Sequence, residues 1–186
     1  TEDLATHMTD LTPNRRWVQE NGNDVHLVIT GGEPLLGWQR AYAELLSHPR
    51  MADLKNITFE TNGTQELHDD FEHFLMDWTL NPRGGIGRRG KDALTFSVSA
   101  KLSASGESWE DAIKPEIVCE YQRIGVTYLK FVVATMADLL EVQEAVNAYR
   151  NAGFMGPVYV MPVGGTTQGY DANKFNVANE ALRMGF

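Results

Sequence analysis

The chain has 186 residues, 42% of them hydrophobic, with 16 basic and 25 acidic side chains and a net charge of -9. It can fill a core, and its acidic balance argues against nucleic acid as the main ligand, because phosphate binding needs a basic surface. No apolar run approaches the roughly 20 residues that cross a bilayer, and no basic-then-apolar opening marks a signal peptide.

These features predict one domain over residues 1–186, a cytoplasmic location, and neither nucleic acid nor membrane as partner. The chain starts on Thr1, in a polar, helix-like stretch, so a natural start upstream is expected. The single cysteine, Cys119, has no disulfide partner and cannot hold a cluster or zinc alone. Its setting, Ile-Val-Cys-Glu-Tyr, reads as a helix face with a buried, inert thiol. The five histidines form no HExxH-type pattern.

Residues 25–30 are a short apolar run ending at two glycines, the first predicted strand. A helical stripe follows over 37–47, with Trp38, Ala41, Tyr42, Leu45 and Leu46 inward. Residues 56–60 are the next strand, closed by Asn62-Gly63. Residues 65–76 read as a helix with Leu67, Phe71, Phe74 and Leu75 inward. Residues 77–80 and 94–99 are strand-like. Between them, 81–92 reads as a mobile loop whose Arg83, Arg88, Arg89 and Lys91 are solvated.

Ser108 is a candidate N-cap with Asp111 three residues later. Trp109, Ile113, Ile117 and Tyr121 then fall four apart on one helix face, which Gly125 ends. Residues 128–133 are a strand. Residues 136–151 are a helix with Leu139, Val142, Val146 and Tyr149 inward, stopped by Gly153. Residues 157–162 are the last strand, and 173–184 look helical. Alternation of strand and helix about five times implies a parallel α/β sheet. Periodicity does not separate a barrel from an open, doubly wound sheet.

Polar clusters follow the strands. They are Thr30-Gly31-Gly32-Glu33-Pro34, Glu60-Thr61-Asn62-Gly63-Thr64, Ser99-Ala100-Lys101 and Met161-Pro162-Val163-Gly164-Gly165-Thr166. In parallel α/β folds the C-terminal strand ends are where ligands bind. Gly31 and Gly32 leave no side chain to block backbone groups, and Glu33 offers a carboxylate for a ligand ammonium. The same residues also make an ordinary strand-to-helix turn. Asn62-Gly63 can equally be turn formers, Glu60 a turn acid, and Lys101 a solvated cation.

Thr-Gly-Gly-Glu-Pro resembles the GGEP motif of radical S-adenosylmethionine (SAM) enzymes. The order and approximate spacing of Val-Ile-Thr-Gly-Gly-Glu-Pro, Glu-Thr-Asn-Gly-Thr, Val-Ser-x-Lys with a later Ser-Gly-Glu, and Met-Pro-x-Gly resemble the 7-carboxy-7-deazaguanine synthase family over about residues 25 to 166. The resemblance implies a partial (βα) barrel of the radical SAM type, here lacking its first β-α unit. It implies conversion of 6-carboxytetrahydropterin to 7-carboxy-7-deazaguanine with loss of ammonia, in queuosine-type biosynthesis. It also implies SAM, a [4Fe-4S] cluster that cleaves SAM to a 5′-deoxyadenosyl radical, Mg2+, an electron donor, and a homodimer.

Carried onto this chain, the resemblance gives Thr30 to the pterin substrate. Gly31, Gly32, Glu33, Glu60, Asn62, Ser99, Ala100, Lys101, Met161, Pro162, Val163 and Gly164 go to SAM: Glu33 at its amino group, Ser99 to Lys101 around ribose and carboxylate, Met161 to Gly164 on the adenine side. The family's CxxxCxxC motif and its magnesium-binding Thr are absent. The expected reading is therefore a portion cut at both ends and inactive alone. Two alternatives stay open: another radical SAM enzyme, such as a glycyl-radical-enzyme activase, or a non-catalytic SAM- or nucleotide-binding α/β domain.

Overall fold

A computed structural model describes residues 2–80, 89–164 and 177–186. Its strands are β1 (His26–Ile29), β2 (Asn56–Thr61), β3 (Leu94–Val98), β4 (Val126–Val133) and β5 (Val158–Pro162). Its helices are α1 (Glu2–Leu11), α2 (Gln39–Leu46), α3 (Asp69–Leu80), α4 (Trp109–Ala112), α5 (Pro115–Ile124) and α6 (Met136–Asn151), and residues 177–184 are also helical. The strands form a parallel sheet in the order β1-β2-β3-β4-β5. The register pairs Val28 with Thr58 and Val132 with Met161. Sequential order without reversal is the order of a βα barrel, whereas a doubly wound sheet reverses at a switch point. The fold is therefore α/β and consistent with a partial βα barrel.

The chain divides into two compact units. The first comprises Thr1–Glu60, Gln65–Phe96 and Arg123–Val126. Its core is aromatic: Phe59 stands edge-on to Tyr42 and Phe71, at 5.6 and 6.0 Å between ring centroids, and stacks on Phe96 at 5.8 Å. Such pairs add about 0.5–1.5 kcal/mol each beyond their buried area. The second unit comprises Thr61–Thr64, Ser97–Gln122 and Thr127–Phe186. Its strand β4 alternates strictly, with Leu129, Phe131 and Val133 fully buried and Val132 47% exposed. In α6, Leu139, Val142, Ala145 and Tyr149 are buried at helical spacing, and Val146 is half-buried.

Several sequence expectations are corrected. Residues 77–80 are the last turn of α3, not a strand. Trp78 and Thr79 are buried with Phe71 and Leu75, which continues a helical period through what looked like a separate apolar run. In α2 the buried residues are Gln39, Leu45 and Leu46, while Trp38 precedes the helix at 64% exposure and Ala41 is also exposed. Gln39 goes inward because its amide donates to Leu35 O and Glu66 O and accepts from His68 N.

The helix predicted from Ser108 to Gly125 is two. Pro115 lacks an N–H and disfavours helical geometry in the residue before it, so α4 stops at Ala112 and α5 starts afresh. Ile113, Ile117 and Tyr121 are still buried.

Arg89 is not a solvated loop cation. Its guanidinium donates to Leu54 O, Trp78 O and Ala52 O at 2.8, 3.3 and 2.7 Å and lies 4.2 Å over the Trp78 ring. Arg83 and Arg88 lie outside the described residues, as do Gly165 and Thr166. Cys119 sits on α5 as expected but is only half-buried, with Sγ 3.4 Å from Ala152 O. Burial, and then Glu116 nearby, hold its thiol above the usual range, so it stays protonated near neutral pH.

Candidate functional site

The candidate residues fall into both units. In the first, β1 runs into Gly31 and Gly32, which take φ of +95° and +50°. A Cβ at either would meet nothing within 4 Å, so the backbone here is open on its Cβ side. Thr30 follows β1 and Glu60 lies near the end of β2, and the Thr30 hydroxyl donates to Glu60 Oε2 at 3.3 Å. Glu33 Oε1 accepts from Leu35 N at 3.1 Å, which ties its carboxylate to its own turn. Tyr42 has its phenol raised above the ordinary value by burial first and by the Glu33 charge second. The turn thus presents two exposed glycine peptides beside two fixed carboxylates, a setting suited to a ligand ammonium.

In the second unit, Asn62 Oδ1 accepts from Thr64 N and Thr64 Oγ1 at 3.0 and 2.7 Å, and Thr61 Oγ1 accepts from Gly63 N at 3.0 Å. These are turn-forming bonds. Ser99 N donates to Thr61 O at 2.7 Å, carrying the β2–β3 ladder to the start of Ser99-Ala100-Lys101. Ser99, Ala100 and Lys101 then line a cavity of about 340 Å³ together with Val163. Leu102, Ala104, Ser105, Val132, Ala134 and Asp138 complete its lining. Met161 and Pro162 end β5, and Val163 N continues the ladder to Val133 O at 2.7 Å.

Sequence reading missed the walls that come from β4 and α6. One signal was available. Thr135-Met136-Ala137-Asp138 has the same spacing as Ser108 to Asp111, and it forms a full capping box in which the Thr135 hydroxyl accepts from Asp138 N. In return, Asp138 Oδ2 accepts from Ala134 N and Thr135 N at 2.7 and 2.9 Å.

The cavity is lined by one cation, Lys101, one carboxylate, Asp138, which is bonded to Ala134 N and Thr135 N, the hydroxyls of Ser99 and Ser105, and apolar side chains such as Leu102, Val132 and Val163. Such a lining suits a small polar ligand that carries an anionic group. An iron–sulfur cluster does not fit the residues present, since clusters are held by several cysteine thiolates and this chain has one. Among the described residues, no three His, Cys, Asp or Glu side chains group to hold a metal ion, and no helix is long and apolar enough to cross a membrane.

The chain is 28% identical over 161 residues to the 7-carboxy-7-deazaguanine synthase of Pyrobaculum aerophilum, a match covering 87% of this chain and 60% of that relative. No protein-family model and no solved structure matches it.

Proposed function

We propose that this chain carries SAM-binding elements of a radical SAM enzyme that forms 7-carboxy-7-deazaguanine from 6-carboxytetrahydropterin. The observation that carries the reading is the second unit's cavity. Ser99, Ala100, Lys101 and Val163 come from two stretches far apart in sequence and line one space. The similarity to a protein named for that product covers 87% of the chain.

Lys101 is the cation for the methionine carboxylate of SAM, Ser99 a hydroxyl for the ribose, and Val163 an apolar surface for adenine. Taken by itself, the first unit offers the open peptides of Gly31 and Gly32 and the Glu33 carboxylate to a ligand amino group, and Thr30, which donates to Glu60, offers a polar contact to a pterin. In a whole enzyme, one electron from a cluster held outside this chain would break the S–C5′ bond of SAM, leaving methionine and a 5′-deoxyadenosyl radical that would take a hydrogen from the substrate. The protein's part is to orient the reactants and keep other hydrogens away. The cluster, Mg2+, electron donor and homodimeric partner belong to the proposed whole enzyme.

Calorimetric titration with SAM tests the binding half. The chain is expected to bind saturably. Lys101→Ala removes a charge-assisted hydrogen bond of about 1.5–3 kcal/mol, so affinity falls roughly tenfold to a hundredfold without a change in melting temperature. Equal binding by Lys101→Ala would remove Lys101 from the site. For the catalytic half, a longer form carrying a cluster is incubated with 6-carboxytetrahydropterin and SAM under reducing conditions. Mass-spectrometric detection of 7-carboxy-7-deazaguanine is expected. Radical formation on a protein glycine instead would favour an activase.

A further inference from the structure

We infer that Glu141 is a positioning residue that sets the loop carrying Lys101 before SAM arrives; the inference rests on the SAM-binding reading above. The loop from Lys101 to Ser108 is exposed at every residue but Leu102. Leu102, at 5% exposure, is its sole buried anchor. Held by Leu102 alone, such a loop would sample many conformations, and ordering it on binding would cost about 1–2 kcal/mol per residue.

Glu141 removes that freedom from outside the loop. Its Oε1 accepts from Ser103 N and its Oε2 from Ser103 Oγ, both at 2.7 Å, across 38 residues of sequence. Two bonds to one residue fix orientation as well as place. Inside the loop, Ser105 N and Ser105 Oγ donate to Leu102 O at 2.8 and 2.7 Å, and Gly106 N donates to Ser103 O at 2.9 Å. Fixing Ser103 therefore fixes the short 3-10 turn Ser103–Ser105 and the cavity-lining residues Leu102, Ala104 and Ser105.

The ordinary role of an acid early in a helix does not account for Glu141. Asp138, three residues before it on α6, fills that role through the capping box. Asp138 closes the turn after β4, and Glu141 reaches the loop after β3. The first two turns of α6 thus hold two walls of one cavity through two carboxylates, and preorganising a site in this way raises affinity by lowering the ordering cost of binding.

Glu141→Ala and Glu141→Gln are compared with the unaltered chain by calorimetry with S-adenosylhomocysteine, by amide exchange over residues 101–105 without ligand, and by melting temperature. Glu141→Ala is expected to weaken binding roughly tenfold, within the range that loop preorganisation commands, and to speed exchange at Ser103 while melting changes little. Glu141→Gln keeps an acceptor for Ser103 N–H and offers its amide to Ser103 Oγ, so it restores most of the affinity, which a purely electrostatic role for the carboxylate would not allow. Unchanged binding in Glu141→Ala, in a chain whose Lys101→Ala variant is impaired, overturns the inference and leaves the SAM reading standing. If the unaltered chain does not bind the nucleoside, that reading falls, and the exchange rates alone decide: unaccelerated exchange in Glu141→Ala rejects the clamp.

Discussion

Past β1 the chain turns through Gly31 and Gly32, and past β2 it turns through Gly63. All three have positive φ, at +95°, +50° and +80°. Their surroundings differ. A Cβ at Gly31 or Gly32 meets nothing within 4 Å, whereas at Gly63 it would come within 2.6 Å of Val98 Cγ1 and 3.1 Å of Val118 Cγ2. The Gly63 turn is filled by the protein's own core. The Gly31-Gly32 turn leaves its peptides uncovered, so nothing in the fold's packing demands the missing side chains. Glycine in a motif is therefore not by itself a mark of a binding site. The empty volume beside it separates a turn shaped by packing from one that leaves room for a ligand.

The strongest way to break that comparison is Gly63→Ala. Strain of the left-handed backbone and overpacking against Val98 together predict a loss of about 2–4 kcal/mol, measured by urea unfolding. A loss below about 1 kcal/mol, less than the backbone strain alone predicts, would mean that the core yields and the two turns are alike. Gly32→Ala should cost less, about 1 kcal/mol, because its φ lies near the left-handed minimum and there is room for the methyl. Its larger effect should be on SAM binding, since the methyl would stand where the ligand approaches. Normal binding with reduced stability would make this turn as structural as the one at Gly63.

The smallest effect is expected at Asp24, which belongs to neither turn. Lys55 Nζ donates to its carboxylate at 2.7 Å and Gln19 N at 2.9 Å, and these bonds, Lys55 first, pull it below the usual range. A carboxyl whose folded pKa is depressed contributes stability above its unfolded pKa and loses it as pH falls through the folded value. Unfolding curves of Asp24→Asn and the unaltered chain should therefore differ slightly at neutral pH and converge in acid. A gap that persists in acid would mean that Asp24 acts through packing rather than charge.

Much of the fold was legible. The α6 boundaries follow from an apolar stripe over 136–151 stopped by Gly153, and most of β4 from the apolar run 128–133, which the structure starts at Val126, because both patterns are written locally. The strand at 77–80 was misread because Asp77-Trp78-Thr79-Leu80 shows no period of its own. It joins α3 only when Phe71, Leu75, Trp78 and Thr79 are seen on one buried face. The single helix over 108–125 was misread because its four-residue apolar spacing survives the break at Pro115. Arg89 could not be placed from sequence at all, since its acceptors are backbone carbonyls, and every residue has one.

The candidate site divides the same way. The turn residues Thr30 to Pro34, and the stretches Ser99 to Lys101 and Met161 to Gly164, stand out in sequence because glycine, proline and charge cluster after apolar runs. The walls from β4 and α6 do not, because Val132, Ala134 and Asp138 are ordinary members of a strand, the turn after it and a helix N-terminus.

Sequence alone determined the alternation of strands and helices and the placing of polar clusters after strands, since both depend on near neighbours along the chain. Tertiary structure decided the sequential strand order, the inward turn of Gln39 and Arg89, and the reach of Glu141 to Ser103. Each of these joins polar groups or strands brought close only by the chain's return, and hydrogen bonds act over about 3 Å of space whatever the distance in sequence.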